Sequence, residues 1–352
     1  MFFSGVGTAV PEKRYTKQEC WDAFERSEWF ARLDGRAHAI AKSVLRRDNG
    51  IDTRWLALDS LDDSFAIDPD TLHRRFATHA PRLAQEAAIE ALTRAKISAS
   101  SIDAVVISTC TGYLCPALSG YVVELLGLNP DVKTFDLVGQ GCAAALPNLQ
   151  LANALLTGDQ CSNVLSICVE VCSAAMYLDN DPGVLISACL FGDGAGAAIL
   201  SRNASSGGRR VEWRGSVSLT APANRGALRF EHRGGLLRNV LTRAVPALAA
   251  DYADRVLHQA LSDAGLTRGD IGAWIFHAGG RDVLIALERK LGLSRADLRY
   301  SESALRDYGN LSSAFVYFVL DSALRAGAPA GWWWLSSFGA GFACHGALLS
   351  VD

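Results

Sequence analysis

Apolar positions along this chain switch between two kinds of spacing. In "RLAQEAAIEALTRAKI" (82–97) they recur every three or four residues, with charged side chains between them. That period predicts an amphipathic helix. The segment that follows, "IDAVVISTCTG" (102–112), is a short continuous apolar run closed by a glycine turn. It predicts a strand buried on both faces. The same pair returns later as "DYADRVLHQALSDAGL" (251–266) and "IGAWIFHAGG" (271–280). Helix and strand patterns that alternate in this way predict an α/β protein.

The two pairs superpose without a gap at an offset of 169, which sets Leu92 on Leu261, Ala95 on Ala264 and Ile102 on Ile271. A second echo links "FGDGAGAAILS" (191–201) with "FGAGFACHGALLS" (338–350). Both close with a glycine-rich turn and a short apolar strand. The chain therefore reads as two related halves, 1–205 and 206–352, with "NASSGGRR" (203–210) as a surface linker between them.

Duplication directs attention to "DLVGQGCAAALPNLQLANALL" (136–156). Cys142 is either a small buried filler or a nucleophile near a helix start. Pro147 complicates a helix beginning at Cys142, so the regular helix is expected to begin near Pro147, with Cys142 in a looser turn before it. Adding the offset to Cys142 lands beside Asn310, in "DYGNLSSAFVYFVLDSAL" (307–324). His277 ends the strand of the second half, where Ser108 ends that of the first. In a two-fold-like duplicate the equivalent helices meet end to end, so one site built from Cys142, His277 and Asn310 is expected. A cysteine attacks as thiolate, which helix-terminal N–H groups and an imidazole both favour. Two neutral N–H donors facing a cysteine suit thioester chemistry, where an enolate oxygen needs stabilising.

Composition narrows the classes. A formal charge of -3 gives no global pull toward nucleic acid or an anionic membrane. Nine cysteines lie largely in apolar runs without a CxxC pair, which suggests small buried thiols in a reduced, cytoplasmic protein and no metal site. No signal peptide or membrane span is expected. "GDGAG" lacks the spacing of a dinucleotide fingerprint.

Five segments in order carry a resemblance: "GQGCAAA" around Cys142, "LFGDGAGAA" from Leu190, "WIFHAGG" ending after His277, "YGNLSSA" around Asn310 and "FGAG" from Phe338. The chain resembles the type III polyketide synthases, relatives of chalcone and stilbene synthases. The resemblance implies a thiolase-like αβαβα five-layer fold and a homodimer. It implies that Cys142 takes an acyl group from coenzyme A, that His277 and Asn310 hold the malonyl-CoA thioester oxygen during decarboxylation, and that no bound cofactor is needed beyond the coenzyme A thioester substrates. Phe191 matches a gatekeeper between the coenzyme A tunnel and the acyl cavity. The family's second gatekeeping Phe falls at Asn239 or Arg238, and the proline of its "GFGPG" loop, which begins here at Phe338, is Ala340. Cys110, Cys172 and Ala175 fall at cavity-lining positions, and Cys115 at a residue reaching across the dimer. Arg46, Arg47 and Arg54 lie near the basic stretch that binds coenzyme A. Other segments look like bacterial alkylresorcinol and alkylpyrone synthases, which use fatty acyl starters, and like 3,5-dihydroxyphenylacetyl-CoA synthase, which uses only malonyl-CoA. The small lining residues favour a fatty acyl starter. A β-ketoacyl carrier-protein synthase is disfavoured by "HAGG" and "GNLSSA", and a non-catalytic scaffold by the intact triad.

Overall fold

The computed structural model describes residues 1–158, 160–204 and 208–352. The linker expected at 203–210, and with it the boundary at 205/206, lies in part outside the described residues. The chain opens with β1 (Phe2–Ala9), β2 (Arg14–Thr16), α1 (Lys17–Arg26), α2 (Glu28–Arg32), α3 (Gly35–Arg46) and β3 (Thr53–Trp55). Next come α4 (Pro69–Ala95), β4 (Ala104–Thr109), α5 (Leu118–Leu126), β5 (Lys133–Val138), α6 (Ala145–Thr157), β6 (Asn163–Glu170), α7 (Pro182–Leu190) and β7 (Gly194–Ser201). The remainder holds β8 (Val211–Thr220), β9 (Leu228–Arg233), β10 (Leu236–Leu241), α8 (Val245–Ala264), β11 (Ile271–Phe276), α9 (Arg281–Leu291), α10 (Arg295–Tyr308), α11 (Phe315–Arg325), β12 (Gly331–Gly339) and β13 (Ala343–Val351).

Among the described residues, nine strands join in the order β11-β12-β13-β8-β1-β7-β6-β4-β5. The first strand of each half, β1 or β8, lies at the centre. Outward from β1 come β7, β6 and β4; outward from β8 come β13, β12 and β11. The two arms thus repeat one connectivity, with β5 as an extra edge strand in the first. Helices α6 and α11 lie between the arms, each packed on strands of both. Helix α4 covers β1, β6 and β7 from one outside and α8 covers β8, β12 and β13 from the other. Five layers result, as the duplicated pattern predicts.

Local chemistry sets the outer layers. Helix α4 starts where the Asp68 side chain accepts the Thr71 N–H at 2.9 Å, with Pro69 in the first position. It buries a stripe that includes Leu72, Phe76, Ala80, Ala84, Ala87, Ala91 and Ala95. The alanines let β1 come very close: a β-carbon at Gly7 would stand 2.2 Å from the Ala87 carbonyl oxygen. A separate apolar cluster joins α1 and α3 to α7 through Cys20, Phe24, Leu45, Leu185 and Cys189. The hairpin of β9 and β10, for which the sequence pattern gave no strand, reaches the same region through contacts with α7. No described helix is long and apolar enough to cross a membrane.

Candidate active site

Cys142 sits in a single 3-10 turn, Gly141–Ala143, immediately ahead of α6. Pro147 is the third residue of α6 and lies in its first turn, where a backbone N–H has no intrahelical partner to lose. The helix begins at Ala145, two residues before Pro147 and near it as expected, and Cys142 does lie in the looser turn expected before it. The second half repeats the device. A 3-10 turn at Ser312–Ala314 precedes α11, and the two turns pack together.

Ser312 joins them. Its Oγ is 3.4 Å from Cys142 Sγ, and its backbone N–H donates to Asn310 Oδ1 at 2.9 Å. Asn310 Nδ2 donates in turn to the Gly279 carbonyl at 3.0 Å. These two bonds fix which end of the carboxamide is which and leave one of its N–H groups free. The backbone at Asn310 is held as well, by its N–H on the Leu190 carbonyl and by its own carbonyl accepting from Gly192 N–H. That bridge fixes Phe191 beside it.

Gly279 lies two residues beyond His277, and a β-carbon there would be 3.7 Å from His277 Nε2. Its φ of 62° is in the left-handed region, so glycine serves both the turn and the space before the imidazole. The His277 backbone N–H donates to the Ser336 carbonyl, and its ring meets Phe315 and Phe338 edge-on at 5.5 and 5.2 Å. Nδ1 is buried without a hydrogen-bond partner among the described residues. Burial brings the His277 pKa down to about 3. Burial pushes the Cys142 thiol up to about 12, against a lowering by the Ser312 hydroxyl. Burial thus favours the neutral form of both groups.

Behind the thiol lies Glu170, fully buried and absent from the sequence reading. Its carboxylate accepts from the Cys110 N–H at 3.0 Å and from the Thr111 hydroxyl at 2.8 Å. It also faces the Ser312 hydroxyl at 3.3 Å and the Cys110 thiol at 3.3 Å. No pattern in the sequence marks Glu170, and Ser312, though it lies within "YGNLSSA", shows no role there, because each acts through neighbours distant along the chain.

A cavity of about 740 Å³, part of it open to solvent, reaches Cys142. Cys110, Cys172, Ala175, Phe191 and Asn239 all line it. So does Phe230, the cross-strand partner of Asn239 on the β9–β10 hairpin. An aromatic ring thus reaches the cavity from the strand opposite the one that carries Asn239. Arg238 is instead occupied with Asp179, Asp181 and Glu231.

Other expected contacts fall elsewhere. Arg54 is 7% exposed, and its Nη1 donates to the carbonyls of Ala188 and Phe191 at 2.8 and 3.1 Å. It ties the end of α7 in place and has no open face for a coenzyme A phosphate. Phe338 supports the His277 ring rather than lining the cavity. Arg46 and Arg47 are exposed at the end of α3, where Arg46 lies over the Trp21 ring. Cys115 is exposed and outside the cavity.

A duplicated five-layer fold with a thiol and a carboxamide held at paired helix-leading turns and an imidazole at a strand end is the architecture of thiolase-type condensing enzymes. Residues 63–219 match the family model described as FAE1/type III polyketide synthase-like protein, and residues 220–351 match chalcone and stilbene synthases, C-terminal domain. The 3,5-dihydroxyphenylacetyl-CoA synthase of Amycolatopsis orientalis is 32% identical, over 90% of this chain and 84% of that one. The 1,3,6,8-tetrahydroxynaphthalene synthase of Streptomyces peucetius subsp. caesius is also 32% identical, over 98% and 92%. In fold, the chain superposes on a brown-algal synthase from Ectocarpus siliculosus with a TM-score of 0.91 at 23% identity, covering 99% of this chain and 98% of that one. It does so on the tetrahydroxynaphthalene synthase of Streptomyces coelicolor A3(2) with a TM-score of 0.89, again at 23% identity, covering 99% of both. The chain belongs to the type III polyketide synthase family.

Proposed function

We propose that Cys142, His277 and Asn310 carry out decarboxylative condensation of coenzyme A thioesters. The observation that supports this most is the chain of contacts from Cys142 through Ser312 and Asn310 to the carbonyl of Gly279, two residues beyond His277. Neutral His277 takes the Cys142 proton as sulfur attacks the starter thioester carbonyl, and returns it to the departing coenzyme A thiolate. Malonyl-CoA then loses CO2. The electron pair of the broken C–C bond passes to the thioester oxygen, held by an imidazole N–H and the free amide N–H of Asn310. The enolate carbon attacks the Cys142 thioester, forming a C–C bond and releasing the sulfur. Repetition followed by ring closure gives the product. No cofactor enters this reading; the coenzyme A thioesters are substrates.

For the starter we infer a fatty acyl group, giving a resorcinol, pyrone or similar ring. The small side chains of Cys110, Cys172 and Ala175 around the cavity support it. A second reading, a synthase of the 3,5-dihydroxyphenylacetyl-CoA type, is favoured by the identity to such relatives and by the bulky Phe230 in the cavity lining. Labelled malonyl-CoA supplied with a panel of acyl-CoAs tests the whole reading: CO2 release and polyketide products support it, and no CO2 with any starter contradicts it.

The reading includes a cytoplasmic homodimer. Strand β5 is an edge strand with one side unpaired, and Val138 at its end is 58% exposed. Tyr113, near the exposed Cys115, is 71% exposed. A stable monomer at micromolar concentration in sedimentation would count against it.

A further inference from the structure

The polar side chains lining the catalytic cavity differ in what they have left to offer a substrate. Most of their donors are committed inside the fold. The Thr111 hydroxyl donates to Glu170 at 2.8 Å, Ser173 to Asp193 at 2.6 Å and Ser187 to the Gly183 carbonyl at 2.8 Å. The Ser312 hydroxyl stands between Glu170 and Cys142. Arg229 gives Nη1 to the Gly226 carbonyl and Nη2 to Glu231, both at 2.9 Å.

Two groups are left over, and nothing in the chemistry above uses them. Tyr177 lines the cavity and is half-buried, and its phenol makes no hydrogen bond to any described residue. Asn239 donates one amide N–H to the Ser187 hydroxyl at 2.9 Å, which leaves its second N–H without a described partner. Tyr177 follows the 3-10 turn Cys172–Ala175, and β10, which carries Asn239, packs against that turn. The fold thus brings a free phenol O–H and a free amide N–H to neighbouring parts of one lining.

A chain growing on Cys142 carries a ketone oxygen on every second carbon. Such an oxygen only accepts hydrogen bonds, and a phenol or an amide N–H is its matching donor. We propose that Tyr177 is a specificity-determining residue for ring closure, its phenol donating to one ketone oxygen of the Cys142-bound chain with Asn239 as the second donor. The ketone so held is the one attacked. A methylene between two carbonyls gives its proton to water, and its carbon bonds to the held carbonyl carbon. The π pair passes to the ketone oxygen, which takes the phenol proton, and water restores the phenol. The competing closure needs no such donor. There an enol oxygen bonds to the thioester carbon, the C–S bond to Cys142 breaks, and the enol proton passes to the departing sulfur, giving a pyrone. The proposal rests on the condensing reaction above and concerns its last step.

The wild type and Tyr177→Phe are given labelled malonyl-CoA, alone and with octanoyl-CoA. Carbocyclic and pyrone products are measured by mass spectrometry against CO2 released. Tyr177→Phe is expected to lower the ratio of carbocycle to pyrone about tenfold or more. An unchanged ratio, or a wild type that makes pyrones alone, overturns the proposal. A second variant keeps the shape of the side chain: 3,5-difluorotyrosine at position 177 has a more acidic phenol. The loss of carbocycle at alkaline pH should then begin at lower pH, which a merely space-filling ring would not cause; an unmoved profile overturns the proposal as well. Absence of CO2 with every starter in the wild type would remove the condensing reaction itself, whereas CO2 release with an unchanged product ratio removes only the role of Tyr177.

Discussion

The hydroxyl of Ser312 stands 3.4 Å from the sulfur of Cys142, across the junction of the two halves of the chain. The same oxygen faces Glu170 at 3.3 Å, so the hydroxyl stands between a thiol and a buried carboxylate. Its bond to sulfur opposes the upward push of burial on the thiol. In the proposed reaction Ser312 is a positioning residue for the Cys142 sulfur, while its backbone N–H orients Asn310.

Ser312→Ala keeps that backbone N–H and removes only the hydroxyl. The Cys142 pKa should rise further, so the thiolate fraction at neutral pH falls. Iodoacetamide inactivation is expected to slow several-fold, with its alkaline rise displaced to higher pH. Ser312→Thr should recover part of the loss. An unchanged pH profile in Ser312→Ala would mean that the hydroxyl does not act on the sulfur.

Arg54 gives a stability test separate from chemistry. Its guanidinium satisfies two carbonyls at the end of α7, and Leu in its place leaves both unpaired in a buried setting. Arg54→Leu is expected to cost about 2–4 kcal/mol in denaturant unfolding. A surface substitution at Arg47 should be close to neutral. If the Arg54 variant unfolds at the wild-type denaturant concentration, the clamp has no energetic weight.

Acid should destabilise the fold through two neutral imidazoles. Burial lowers His345 from 6.5 to about 4, and its Nδ1 pairs with the Ser218 hydroxyl at 2.8 Å. His277 shifts in the same sense, to about 3. Each contributes stability that is present above the unfolded pKa. As pH falls below that value the unfolded chain takes up a proton and the folded one does not, so stability declines toward the folded pKa. Between about pH 7 and about pH 4.5 the His345 contribution amounts to about 2–3 kcal/mol. His345→Gln should flatten the pH dependence of unfolding by that amount, while an equally steep dependence would show that His345 titrates normally in the fold.

Much of this site was legible because duplication is written in the sequence as matched apolar runs. The offset that aligns Leu92 with Leu261 also brings the turn at Cys142 to within two residues of the turn at Ser312, and so finds the region of the two paired turns without reference to any ligand. What stayed hidden depends on contacts remote along the chain. Glu170 ends a buried strand and reads as a lone acid in an apolar run. Phe230 reaches the cavity only because β9 pairs with β10 in a register that sets it opposite Asn239. Arg54 falls near the stretch that the resemblance assigns to coenzyme A, yet its strand points it inward beneath α7. A charge pattern gives no sense of side-chain direction in a strand of three residues.

The central claim is that Cys142 carries the acyl group while His277 and Asn310 make the enolate. The direct measurement is peptide mass spectrometry after incubation with an acyl-CoA, combined with CO2 release from malonyl-CoA, for the wild type and for Cys142→Ala, His277→Gln and Asn310→Asp. The wild type should carry one acyl group on Cys142 and release CO2. Cys142→Ala should carry none. Asn310→Asp should still load, yet lose decarboxylation by about 10²–10³, because an acceptor replaces the donor facing the enolate oxygen. His277→Gln should lose decarboxylation likewise and load more slowly. An acyl group found on any other residue, or CO2 release undiminished in Asn310→Asp and His277→Gln, would contradict the account.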